Sequence, residues 1–160
     1  MIRSVKLSDA SDICRIYNEY ILKTVITFEE NPLTVKEMEL RIENIIQSYP
    51  WLVYEENENV IGYTYAGKWK ERSAYRFSVE TGIYIDSKHI GRGIGTKLKS
   101  ELLTILRERS IHSIICGIAL PNPASIALCE KLGFIKVGQL KEVGFKHNKW
   151  VDVGYWELIL

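Results

Sequence analysis

An α/β fold, with a central sheet covered by helices on both faces, is what the chain predicts on three observations. Period-two strand patterns are interspersed with two pairs of helical patterns, and elements with one apolar side must bury it against each other. The 46% hydrophobic content over 160 residues is enough to build a single buried core. No low-complexity tract, internal repeat or Pro/Gly/Ser linker divides the sequence, so residues 1–160 are expected to form one domain.

The first element is an alternating strand, IRSVKL. Ser8 or Asp9 stands where an N-cap belongs, and ASDICRIYNEYILKTV follows with Ile13, Ile16, Tyr17, Tyr20 and Ile21 at helical spacing. The loop ITFEENPL leads to a second helix, VKEMELRIENIIQSY, capped by Thr34. WLVYEENENVIGYTYAGKW reads as two strands turning near Glu58-Asn59, and FSVETGIYID as another strand. DSKHIGRGIG opens a helix that continues through TKLKSELLTILRER. A short strand, HSIICGIA, precedes a helix from Pro123 or Ala124 to Leu132, and IKVGQLKEVGFK and WVDVGYWELIL close the sheet.

Charge narrows the partners. The net charge is +1, from 21 basic and 20 acidic residues, which gives no basic footprint for nucleic acid or an anionic membrane. Apolar runs such as SIICGIAL are far too short to span a bilayer, and the start lacks a charged and apolar leader pattern, so the chain is expected to be cytoplasmic. Three cysteines, Cys14, Cys116 and Cys129, have neither paired nor metal-binding spacing, and no structural disulfide is expected.

The informative stretch is HIGRGIG. Three glycines at the mouth of a helix cost stability unless the backbone there must come close to something. A helix N-terminus offers unpaired N–H groups and a positive dipole end, so the expected guest is an anion. The dinucleotide pattern GxGxxG fails, because Gly91, Gly93 and Gly95 simply alternate, and the Walker triplet GK[ST] is absent. What remains is a turn able to lay successive amides around a pyrophosphate, with Arg92 to pair charge, or else a glycine-rich turn that only starts a tightly packed helix.

VETGIYIDSKHIGRGIGTKL, followed by NPASIALCEKLGF, resembles the acetyl-coenzyme A site of the GNAT acyltransferase superfamily. TFEENPLT, YPWLV, GYTYAGKWKERSAYRFSVE and VGFKHNKWVDVGYWEL are similar to its phosphinothricin acetyltransferase branch, and together these stretches cover almost the whole chain. The resemblance implies a mixed, mostly antiparallel sheet that splays at the coenzyme site. It implies that the pantetheine arm pairs along Gly82 to Ile85, with Ile83, Tyr84 and Ile85 as contacts. The pyrophosphate would lie on Gly91, Arg92, Gly93, Ile94, Gly95 and Thr96, and Asn122 and Ser125 would make the second coenzyme contact. The implied reaction moves acetyl from acetyl-CoA to the α-amine of phosphinothricin, methionine sulfoximine or methionine sulfone, in a homodimer whose partner helps close the substrate site.

Glu80 corresponds to the family's glutamate beside the coenzyme strand and is expected to be the general base. An α-amine with a reference pKa of about 7.7–8.0 is largely protonated near neutrality and needs one. Without the resemblance, Glu80 reads as a solvated strand residue. Arg72, Tyr75 and Arg76 in ERSAYR would hold the substrate carboxylate through an arginine fork, or form an ordinary exposed loop. Phe28 and Glu29 match the loop over the substrate, where Phe28 could wall the pocket or plug the core, and Tyr84 would also line the cavity.

Two positions depart from the family. Ile90 replaces a Gln or Arg, so one polar phosphate contact is missing. Cys129 replaces the His of this branch or the Tyr of the wider superfamily, and it either protonates the leaving thiolate or packs as a small hydrophobe. These departures motivate an alternative, a coenzyme-binding sensor without catalysis, beside that of an acetyltransferase for a polyamine or peptide N-terminus. His89, His112 and His147 form no ligand set, so no metal is expected. Trp51, Trp69, Trp150 and Trp156 suit packing, and Cys14 and Cys116 are expected to be inert on apolar faces.

Overall fold

The computed structural model describes residues 1–160. Its elements are β1 (Ile2–Ser4), α1 (Ala10–Lys23), α2 (Val35–Ile46), β2 (Trp51–Glu56), β3 (Asn59–Lys68), β4 (Ser78–Ile85), α3 (Ile94–Glu108), β5 (Ser113–Ala119), α4 (Pro123–Lys131), β6 (Ile135–Lys146) and β7 (Lys149–Ile159). The opening strand is therefore shorter than IRSVKL suggests. Asp9 sits at the start of α1, but its side chain makes no cap bond to the helix. Its carboxylate instead takes the Arg3 guanidinium at 2.8 and 2.9 Å and the Lys6 amide, which precedes the helix, at 2.7 Å.

Thr34 does cap α2: its hydroxyl accepts from the Glu37 amide, and Glu37 returns its carboxylate to the Thr34 amide. The β2–β3 turn falls on Asn57 and Glu58, both with positive φ, one residue earlier than the sequence suggests.

The seven strands form one sheet in the order β1-β2-β3-β4-β5-β7-β6. Every pairing is antiparallel except β4 with β5, and that parallel pair is joined only from Ser78 to Glu80 against Ser113 to Ile115. Beyond Glu80, β4 stays on β3 as far as Ile85 while β5 follows β7 to Ala119, and the sheet opens between them.

A helix pair covers each face. On one side Leu98, Leu102 and Leu106, spaced four apart on α3, are fully buried against Val79, Ile114 and Trp156. Each such leucine contributes about 1.5–3 kcal/mol of burial. On the other side Ile13, Ile16, Met38 and Ile42 of α1 and α2 pack on Trp51, Val53 and Tyr63. Side chains alternate along β4, so Thr81, Ile83 and Ile85 face α3 while Tyr84 joins the α1–α2 side.

Candidate active site

Two concave regions meet at the opening. The first is a cleft of about 330 Å³ between the end of α1 and α4, over β4, lined by Tyr20, Thr24, Ile83, Ile85, Asn122 and Ser125. It continues into a second depression of about 320 Å³ along Gly91, Gly93, Gly95 and Thr96. Gly91 and Gly93 have φ of +85° and +75°, a handedness that residues with a Cβ rarely adopt, and it turns the loop amides outward. Gly93 precedes α3 without a side-chain cap, so the first-turn amides of the helix are left for a guest. Gly95 serves differently: a Cβ there would lie 3.4 Å from Leu128 and 3.6 Å from Ile83, filling the cleft floor. Arg92 does not line this depression in the described conformation, because Glu56 holds its guanidinium at 2.7 and 3.0 Å. Ile90 is 61% exposed and borders both regions. Asn122 caps α4 by accepting from the Ser125 amide.

The backbone of β4 supplies the next donors. Asp86 N–H donates to Ile61 O at 2.9 Å, and alternation then turns Tyr84, Gly82 and Glu80 toward β3 and Ile83 and Ile85 toward the open gap. Ile83 offers both groups there, whereas the Ile85 carbonyl already accepts the Tyr20 hydroxyl at 2.8 Å. Tyr84, set edge-on to Tyr17 and Tyr20 at 5.0 and 5.1 Å, borders the small void in the gap rather than the cavity before Glu80.

Through the gap, on the other face, lies a cavity of about 300 Å³ lined by Ile26, Phe28, Glu80, Gly117, Val143 and Tyr155. No side chain donates a hydrogen bond to Glu80, and a Cβ on Gly117 would sit 3.4 Å from its Oε1. The carboxylate reaches solvent, yet the concave wall withholds enough water to push its pKa up, with the Cys116 sulfur adding to the rise and Lys70 opposing it. A carboxylate with few donors and a raised pKa is a competent proton acceptor.

The loop over this cavity is pinned at several points. Lys146, almost wholly buried, donates to the Thr27 carbonyl at 2.8 Å. The far end of the Phe28 ring lies against Gly144, where a Cβ would come within 2.3 Å of it. Glu29 is committed to the Arg41 fork at 2.8 and 2.9 Å and to the Tyr17 hydroxyl, and the guanidinium holds its pKa below the usual range. Its carboxylate therefore anchors the loop rather than facing the cavity as an unpaired group.

The ERSAYR residues stand elsewhere on the chain. Arg76 stacks on Phe77 at 4.5 Å, Arg72 is exposed, and neither lines the Glu80 cavity. Tyr75 lines an adjoining depression with Trp69, Lys70 and Tyr155, and Tyr155 is common to both.

Several residues at the opening carry no sequence signal. Ile26 borders the cleft, the gap and the cavity alike. Gly117, a glycine inside a strand, could have been flagged as a point of close approach. Cys116 lies in the apolar core on the α3 side, as expected, but two polar side chains reach its sulfur there, Thr81 at 3.2 Å being one. Lys99, buried at 1% exposure on α3, reaches it at 3.4 Å, because a helix facing a gap can bury a lysine against polar partners. Cys14 is buried and donates to the Leu33 carbonyl at 3.0 Å.

A helix-mouth amide cradle, a split β4–β5 pair and a carboxylate across the split define a class, and comparison with known proteins agrees with it. Residues 2–154 match the family model described as an acetyltransferase (GNAT) domain. The chain is 37% identical over 156 residues to a phosphinothricin N-acetyltransferase of Streptomyces viridochromogenes, covering 98% of this chain and 85% of that one. It is 34% identical to the L-methionine sulfoximine/L-methionine sulfone acetyltransferase of Salmonella typhimurium, covering 99% and 94%. A crystal structure of a phosphinothricin acetyltransferase from Sinorhizobium meliloti in complex with acetyl-CoA superposes with a TM-score of 0.97 at 39% identity, covering 100% and 88%. The chain belongs to the GNAT acetyltransferase family. It is an acetyl-CoA-dependent N-acetyltransferase.

Proposed function

We propose that the enzyme acetylates the α-amino group of a small amino-acid-like molecule of the phosphinothricin, methionine sulfoximine or methionine sulfone type. The observation that carries this is the Glu80 cavity, closed on one side by Phe28 and Ile26 and opening through the split sheet onto the coenzyme cleft. A volume of about 300 Å³ suits a free amino acid better than a polymer chain.

The amides of Gly91 to Thr96 would hold the pyrophosphate, and Gly82 to Ile85, Asn122 and Ser125 would hold the pantetheine arm; acetyl-CoA supplies the activated acetyl group. Glu80 takes the proton from the attacking amine. The Ile83 amide, aimed into the gap, stabilises the oxyanion that develops as the amine adds. Phe28 walls the amine's side chain, and Tyr84 contacts the substrate from the gap. Arg72, Tyr75 and Arg76 contribute from a homodimer interface, in which the partner completes the carboxylate site. Exposed Val137, Leu140, Phe145 and Trp150 on the β6–β7 hairpin supply apolar surface for that interface. The enzyme acts in the cytoplasm as one domain, and conferring herbicide resistance is an expected consequence of its activity on phosphinothricin.

The test is release of coenzyme A thiol with phosphinothricin, methionine sulfoximine, methionine sulfone, spermidine and a short peptide as acceptors. Turnover confined to the three amino-acid analogues supports the reading. Turnover on the peptide or spermidine alone overturns it, and tight coenzyme binding without turnover on any acceptor would mark a sensor.

A further inference from the structure

Beneath the gap lies a cluster that the amine reaction does not use. The Lys99 ammonium donates to the Thr81 hydroxyl at 2.5 Å and to Cys116 Sγ at 3.4 Å. Thr81 Oγ1 and Cys116 Sγ are 3.2 Å apart, and Cys129 is packed in the same buried core cluster. All four side chains are buried. Cys116 Sγ thus has the Thr81 hydroxyl and the Lys99 ammonium against it, which favours its thiolate; the neighbouring Cys129 thiol and the Lys99 charge lower its pKa. The Cys116 sulfur beside it and burial raise the Cys129 thiol, which keeps its proton.

This cluster is connected to the coenzyme. Lys99 and Cys116 line a small cavity, of about 70 Å³, together with Ile83, Asn122 and Ser125, and these last three also line the coenzyme cleft. A nucleophilic sulfur and an amine therefore share one void with the segment proposed to hold the thioester.

We propose that Cys116 and Lys99 form a second, internal acetyl-acceptor site, in which Cys116 takes acetyl from acetyl-CoA when no amine is bound and passes it to the Lys99 amine. The inference rests on the reading of the coenzyme cleft given above. In the first step the Cys116 thiolate attacks the acetyl carbonyl. A carbon–sulfur bond to Cys116 forms, the bond to coenzyme A breaks, and the departing thiolate takes a proton from Lys99. In the second step the neutral Lys99 nitrogen attacks the new thioester from the adjacent position. The amide forms, the bond to Cys116 breaks, and the nitrogen's proton goes to the Cys116 sulfur. The buried ion pair ends as a neutral thiol and a neutral acetyl-lysine, so both charges leave the interior.

The test is intact-mass measurement and peptide mapping of the purified protein after incubation with acetyl-CoA alone, with turnover of an amine acceptor followed in parallel. Wild type should carry acetyl on Lys99 ahead of exposed Lys97 two residues away on α3. Lys99→Arg should accumulate a hydroxylamine-sensitive acetyl on Cys116. Cys116→Ala and Cys116→Ser, each checked for coenzyme binding, should lose acetylation at Lys99 while Lys97 is unchanged. Wild type with intact amine turnover and no acetyl on either residue would overturn the proposal. So would equal acetylation of Lys99 in wild type and both Cys116 variants. Failure of acetyl-CoA binding together with amine turnover would instead overturn the functional reading, and this inference with it.

Discussion

The cleft beside α3 and the cavity before Glu80 lie on opposite faces of one split sheet, yet they are built from different materials. The coenzyme side draws its polar contacts chiefly from backbone: left-handed turns at Gly91 and Gly93, uncapped amides at the mouth of α3, and the Ile83 groups left unpaired when β5 departs. The cavity is made from side chains of Ile26, Phe28, Glu80, Val143 and Tyr155, set around the bare backbone of Gly117. Backbone donors tolerate change in neighbouring side chains, whereas a side-chain cavity changes shape with each substitution. One cosubstrate and variable amines would suit that division.

Glu80→Gln should have the largest effect: kcat falls by about 10²–10⁴-fold, as expected for loss of a general base, while calorimetry shows coenzyme Kd unchanged. The same change should raise the melting temperature at neutral pH. The folded-state pKa of Glu80 lies above the unfolded one, so folding weakens as pH rises through that window, and the cost persists above it. Glutamine removes that cost.

Gly93→Ala breaks the other side of the comparison. Forcing a Cβ into the left-handed region costs roughly 1–2 kcal/mol, and coenzyme Kd should rise by about tenfold while KM for the amine, measured at saturating coenzyme, holds. Gly144→Ala reaches the cavity only, since the new methyl group meets the Phe28 ring. Displacement at a cost of about 1–3 kcal/mol should raise the amine KM severalfold and leave coenzyme binding intact. The smallest effect is expected from Ile90→Gln. One added phosphate hydrogen bond is worth about 0.5–1.5 kcal/mol, seen as a modest fall in coenzyme Kd.

The same division explains what could be read from the chain alone. The strands, both helix pairs, the Thr34 cap and the glycine turn were legible because each depends on neighbours within a few residues. Of Ser8 and Asp9 it is Asp9 that stands at the N-cap of α1, but its carboxylate turns to Arg3 of another element, a partner that no neighbour in sequence reveals. The partners of Glu29 and Arg92 were hidden for the same reason: Arg41 and Glu56 come from distant segments. Lys99 gave no sign of burial, because only the fold shows that its helix position faces the gap above Thr81 and Cys116.

The pH dependence of kcat at saturating acetyl-CoA and amine, for wild type and Glu80→Gln, tests the central assignment most directly. The account predicts an acid limb in wild type, with kcat falling as pH drops through a carboxyl pKa above the ordinary glutamate value. In the variant that limb should vanish and kcat should stay low throughout. A variant with wild-type kcat and an unchanged acid limb would contradict the assignment of Glu80 as the base.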